Sequence, residues 1–171
     1  QDYTGDANIQ LLRSTNGGVS WTTHPIDVAR EMPDCPWSEG CYFGFFGAIA
    51  GVAVDSAGTV AAVYNAPTTP GGPPQLFFRK STDRGATWSG DTKLADSSCE
   101  CCRLALAVDS QGRVAAMWRH VFEPNERDHA FAFLGATQPS VERATLDRWR
   151  IDACPHHGPS LAFGPDGARH A

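Results

Sequence analysis

A chain of 171 residues can bury one core of ordinary size. Its 17 glycines, 12 prolines and five tryptophans, with 42% hydrophobic and 19% charged residues, suit a turn-rich β-protein better than a helical or disordered one. The formal charge of −5, with no Lys/Arg run longer than Arg79-Lys80, argues against nucleic acid as a partner, and the longest apolar run, Tyr42 to Val54, is broken by Gly44, Gly47 and Gly51, which argues against a membrane span.

In chain order, residues 1–26 read as two strands around the turn Ser14 to Trp21 (STNGGVSW). An insertion follows that carries Glu31, Asp34, Cys35, Glu39 and Cys41; its acidic residues suit an exposed loop. A strand is expected over Ala50 to Asp55, then a tight turn closed by Gly58 and a second strand running to Tyr64. After the Pro/Gly-rich loop Pro67 to Pro74 come the strand Gln75 to Lys80, the turn Ser81 to Trp88 (STDRGATW) and the strand Thr92 to Ala95. The pattern then recurs: Ala107 to Trp118 (AVDSQGRVAAMW) repeats Ala53 to Tyr64 (AVDSAGTVAAVY) at an offset of 54 residues, and Ala162 to Ala171 opens a third copy after a further 55. Strands are accordingly expected at Leu104 to Asp109 and Ser160 to Phe163, and no helix longer than about two turns.

Four strands per repeat, A to D, make one propeller blade. Ser81, Asp83, Gly85 and Trp88 fit the pattern S-x-D-x-G-x-x-W, and Ser14, Gly18 and Trp21 fit it with Asn16 in the acidic position. In both turns the chain resembles the Asp-box (BNR-repeat) family that includes sialidases. The box makes physical sense as a structural turn: the Asx side chain folds back on the backbone, glycine supplies positive φ, and tryptophan packs between blades. The resemblance implies an all-β, sialidase-like β-propeller, with strands C and D of one blade at 1–26, a second blade with the cysteine-bearing insertion at 27–95, a third at 96–151 with a degenerate box around Gly135 to Trp149, and the start of a fourth at 152–171. That is about three blades' worth of a six-bladed ring. The missing blades are expected from the rest of the chain, with a second copy as the alternative.

In propellers of this family the ligand face is formed by the loops entering strand A and leaving strand B. The resemblance puts Cys99 to Cys102, Cys154 to His157, the Cys35–Cys41 insertion, Tyr64-Asn65 and Trp118-Arg119-His120 on that face. The 55-residue offset superposes Cys99, Cys101 and Cys102 on Cys154, His156 and His157. Thiolate and imidazole exchange readily as ligands of zinc or Cu(I), so these six residues form a candidate metal set for copper or zinc. The alternative is disulfides alone: Cys35 with Cys41, Cys99 with Cys154, and Cys101-Cys102 either vicinally bonded or free. Arg103 and Arg119 are candidates for holding a carboxylate, and His120 and His129 flank the loop between them, His120 as a further candidate ligand.

Six cysteines in a chain of this size point to an oxidising compartment, periplasmic or extracellular. The resemblance implies an exo-sialidase-like glycosidase as one function, but the arginines and carboxylates of such a site cannot be assigned, and the face presents cysteines, histidines and prolines instead. The expected function is therefore non-catalytic: binding of a metal ion, a glycan or a partner protein through the Cys/His-lined face. A disulfide-stapled structural or interaction module is the further alternative.

Overall fold

Both strand pairs that carry the repeat, VAAVY and VAAMW, are apolar at consecutive positions instead of alternate ones, the mark of a strand buried on both faces. The structure, a computed structural model, describes residues 9–26, 50–67, 74–99, 102–135, 138–151, 153 and 157–171, and explains the pattern. The described residues are all-β, in four antiparallel sheets. Strands β1 (Gln10–Arg13) and β2 (Thr22–Pro25) form a hairpin; β3 (Ala50–Val54), β4 (Val60–Pro67), β5 (Pro74–Ser81) and β6 (Thr92–Ala95) form a four-stranded meander. A second meander is built from β7 (Ala105–Val108), β8 (Val114–Arg119), β9 (His129–Phe133) and β10 (Glu142–Arg143), and β11 (Ala162–Phe163) pairs with β12 (Arg169–His170).

Three apolar clusters interleave the four sheets. Ala62, Tyr64 and Phe77 pack on Ile9 and Ile26, with Leu11 and Trp88 at the margin, joining the first hairpin to the first meander. Ala61, Val63, Leu76 and Phe78 turn the other way, onto Ala116, Trp118, Ala130 and Ala132 of the second meander. Ala115, Met117 and Phe131 in turn meet Leu161 and Phe163 of the last hairpin. Small residues permit the close stacking: a Cβ on Gly51 would stand 2.5 Å from Leu104 Cδ1. A polar clasp ties the first hairpin down, since Arg79 donates to the Ile26 carbonyl and, at 2.6 Å, to Asp91, which also accepts from the Tyr64 hydroxyl.

The turns at one end of the sheets share a chemistry. In the short turns Asp55 Oδ1 accepts from the amides of Ala57 and Thr59, and Asp109 Oδ1 from those of Gln111 and Arg113, with Gly58 and Gly112 at positive φ. The longer turns match bond for bond. Gly18 N donates to Ser14 Oγ at 2.8 Å and Ser20 N to Asn16 Oδ1 at 2.9 Å; Gly85 N donates to Ser81 Oγ at 2.7 Å and Thr87 N to Asp83 Oδ1 at 2.8 Å. Gly18 and Gly85 both adopt φ of 89°. Hydrogen bonds from the Thr87 hydroxyl and amide, and from Ser81, hold the Asp83 carboxyl far below the ordinary carboxylate range.

Two expectations are corrected here. Trp21 was expected between sheets but is 59% exposed, its ring N–H turned to the Gly18 carbonyl at 3.1 Å, because no described sheet covers the outer side of the first hairpin. Trp149 does not close a turn equivalent to Ser81–Trp88. The chain runs past the short β10 to the opposite end of the sheet, where Trp149 O accepts from Arg127 N at 2.7 Å.

Candidate functional site

Antiparallel order puts all the Asx turns at one end of the stack and the segments leaving β4, β6, β8 and β10 at the other. At this second end the strand exits converge. Ser98 bridges to His120, and the Ser98 hydroxyl donates to the buried Asn65 side chain just beyond Tyr64. Cys99 N donates to the Arg119 carbonyl at 2.9 Å, and Cys102 N to the Cys99 carbonyl at 3.3 Å, a turn that brings the two sulfurs into a Cys99–Cys102 disulfide. Both cysteines are buried. The bond closes a four-residue loop within one connection, instead of joining Cys99 to Cys154.

Arg127 is the hub beside this disulfide. Its guanidinium reaches Cys99 Sγ at 3.8 Å and the Ile151 carbonyl at 2.8 Å, and its carbonyl accepts from Arg119 at 2.7 Å. Arg119 is itself buried, lies 5.1 Å from the centroid of the Trp149 ring, and donates to the His157 carbonyl at 3.4 Å. Desolvation lowers its affinity for a proton, countered by Asp128, yet an arginine remains charged there. His120 is half-buried between Trp118 and Phe122, its Nδ1 3.4 Å from the Trp118 ring nitrogen, and burial lowers its pKa, so the neutral imidazole is favoured.

The β8–β9 connection holds the densest charge. Arg143 donates to Glu126 at 2.6 Å and twice to Asp128, at 2.9 and 2.5 Å, while Arg150 reaches the other oxygen of Glu126 at 3.1 Å. The Arg143 hydrogen bond holds Glu126 below the carboxylate range; burial pushes Asp128 up, but the Arg143 bonds and the Arg148 amide outweigh it and the net shift is down. Both acids are therefore locked as carboxylates. Asp128 Oδ1 and His129 Nε2 are buried without a hydrogen-bond partner, and burial followed by the charge of Arg119 keeps His129 neutral.

Of the residues singled out in the sequence, Cys99, Cys102, Arg119, His120 and His157 are thus brought to one end. Arg103 belongs there through its backbone, against which Gly158 packs so closely that a Cβ would come within 2.2 Å of the Arg103 carbonyl oxygen. Arg103 and Gly158 are themselves related by the 55-residue offset, so equivalent points of two successive connections touch. Cys101, Cys154 and His156, like Glu31, Asp34, Cys35, Glu39 and Cys41, lie outside the described residues. Among the described residues no three His, Cys, Asp or Glu side chains are grouped to hold a metal ion, and Cys99 and Cys102 become thiolates only after reduction. Ser14, Asn16, Gly18 and Trp21, and Ser81, Asp83, Gly85 and Trp88, stand at the other end, in the turns. The residues that sequence reading missed are Glu126, Arg127, Asp128 and Arg143; the acids at alternate positions ahead of β9 were their only signal.

No protein-family model matches this chain, and no curated protein matches it significantly. Function therefore rests on the geometry.

Proposed function

We propose that this chain is part of a secreted or periplasmic Asp-box β-propeller of the sialidase-like kind, non-catalytic, whose loop end is a binding face stapled by the Cys99–Cys102 disulfide. The observation that carries the propeller reading is the identity of the two long turns, Ser14–Trp21 and Ser81–Trp88, down to each side-chain hydrogen bond, each joining the same kind of strand pair in successive stacked sheets. Conserved turn frames at a fixed place in sheets repeated every 54 to 55 residues are what a radial repeat requires.

The non-catalytic reading is supported by the state of the carboxyls. A glycosidase acid must be held protonated near neutral pH, and its partner must be open to substrate. Glu126 and Asp128, the described acids of the β8–β9 connection, are instead ionised and tied to Arg143. Binding of a glycan or a protein suits the exposed rim around Trp149 and His157. Metal binding is the second reading, favoured by the contact of the two offset-related connections at Arg103 and Gly158. It needs the reduced form, in which Cys99, Cys101, Cys102, Cys154, His156 and His157 would supply thiolate and imidazole to copper or zinc. Metal analysis of oxidised and fully reduced protein, alongside an assay with an aryl sialoside, tests both. Metal-free protein in both states favours the stapled face; stoichiometric metal in the reduced state restores the second reading; sialoside turnover sinks the non-catalytic one.

A further inference from the structure

The first and last hairpins are complementary halves. By their turns, β1–β2 corresponds to the outer pair β5–β6; by the repeat, β11–β12 corresponds to the inner pairs β3–β4 and β7–β8. Among the described residues β1 pairs only with β2 and β12 only with β11, leaving one backbone edge of each open. A two-stranded sheet is marginal alone, and an open edge invites a strand.

The faces fit as the edges do. Where the two meanders stack, bulky Leu104 and Leu106 of the later sheet sit over Gly51 of the earlier one. Val52 and Val54 stand where Leu106 and Val108 stand, yet are 52% and 55% exposed, because the first hairpin covers β4 and β5 but not β3. Ser160 and Ala162, exposed small residues, occupy the places equivalent to Ala105 and Ala107, in the row that includes Gly51 and Ala53 in the earlier meander. Small residues that need a bulky cover and bulky residues that need a small one are thus displayed on opposite sides of one stack.

We infer that two copies of this chain close a single ring, β11–β12 of each copy pairing with β1–β2 of the other to form a composite four-stranded sheet. This rests on the propeller reading. The register follows from the repeat: Arg169 replaces Val60 and Ser14 replaces Ser81, and Val60 pairs with Ser81, so Arg169 of one copy faces Ser14 of the other and His170 faces Arg13. Copy number follows from closure. Each copy brings two complete sheets and two halves, three sheets in all. Propellers close with about four to eight sheets, so one copy is too few, three are too many, and two make a six-sheeted ring with two-fold symmetry.

Light scattering of the native protein tests this, with Val52→Arg and Ala162→Arg as variants whose new charge is tolerated on an exposed strand but not inside a composite interface. The expected result is twice the 18.4 kDa chain mass for the native protein, a ring-shaped small-angle scattering profile, and monomers for both variants with unchanged circular dichroism. A native monomer overturns the second-copy inference. If that monomer keeps slow amide exchange in both meanders, the propeller reading stands, with residues from elsewhere covering Val52. A dimer that survives both substitutions places the interface elsewhere and also overturns the inference; a dimer with no ring profile overturns the propeller reading with it.

Discussion

Leu11 lies over Gly85 so closely that a methyl group there would stand 2.4 Å from its Cδ2, and this contact seats the first hairpin on the second long turn. Trp88 belongs to the same junction, beside Tyr64 and Phe77, whereas Trp21, its twin in the first turn, faces solvent. Replacing Trp88 by Ala is expected to cost about 3 kcal/mol, at the lower end for a large aromatic, and the same change at Trp21 less than about 1 kcal/mol. Urea midpoints of the two variants check the difference; equal losses would mean the junction does not form.

Asn16 does for its turn what Asp83 does for the other, and that predicts a pH effect. The folded Asp83 carboxyl lies far below its ordinary value of 3.8, so the charged form stabilises the fold above that pH. As pH falls below about 4 the unfolded chain takes up a proton first, and the contribution drains away down to the depressed folded value. Asp83→Asn keeps an acceptor in place and does not titrate. The variant should fold at neutral pH and lose less stability than the native protein on acidification to pH 2. A parallel decline of both proteins would rule out the proposed role of the charge.

Gly158→Ala should separate the two connections. Its Cβ would meet the Arg103 backbone, which cannot move aside as a side-chain tip can, so a loss of about 1–3 kcal/mol is expected. Gly90→Ala meets nothing within 4 Å and serves as the control. Thermal unfolding of the pair decides.

The Cys99–Cys102 disulfide closes so short a loop that chain entropy assigns it only about 2 kcal/mol. Cys102→Ser is therefore expected to leave a folded protein with lowered stability, read by denaturant midpoints, and with one more thiol accessible after unfolding than in native protein. Loss of folding altogether would mean that the bond organises far more than its own turn.

The strands were legible in the sequence because a hairpin repeated at a fixed step carries its own signal. The four-residue β6 at Thr92–Ala95 was found from its place after the Ser81–Trp88 turn. Trp149 was misplaced because β10 is only two residues long, and with no strand to anchor it the offset carried Trp149 to the wrong end. The Cys99–Cys102 pairing was hidden by that same offset, which set Cys99 against Cys154; a local turn decides the bond instead. Nothing in the sequence linked Arg143 to Glu126 and Asp128, since the link depends on how the β8–β9 connection folds back to bridge Glu126 with Phe122 and Arg150.

Ala61 and Ala62 are neighbours in β4, yet one belongs to the cluster shared with the following sheet and the other to the cluster shared with the preceding one. Ala115 and Ala116 divide in the same way in β8. No sheet in the stack therefore owns a private interior, and its melting strips a wall from the sheet on either side. Cooperativity here is a nearest-neighbour property, passed along the array like coupling in a one-dimensional chain of spins. A lesion in an interior meander breaks two couplings, and one in a terminal hairpin only frays an end.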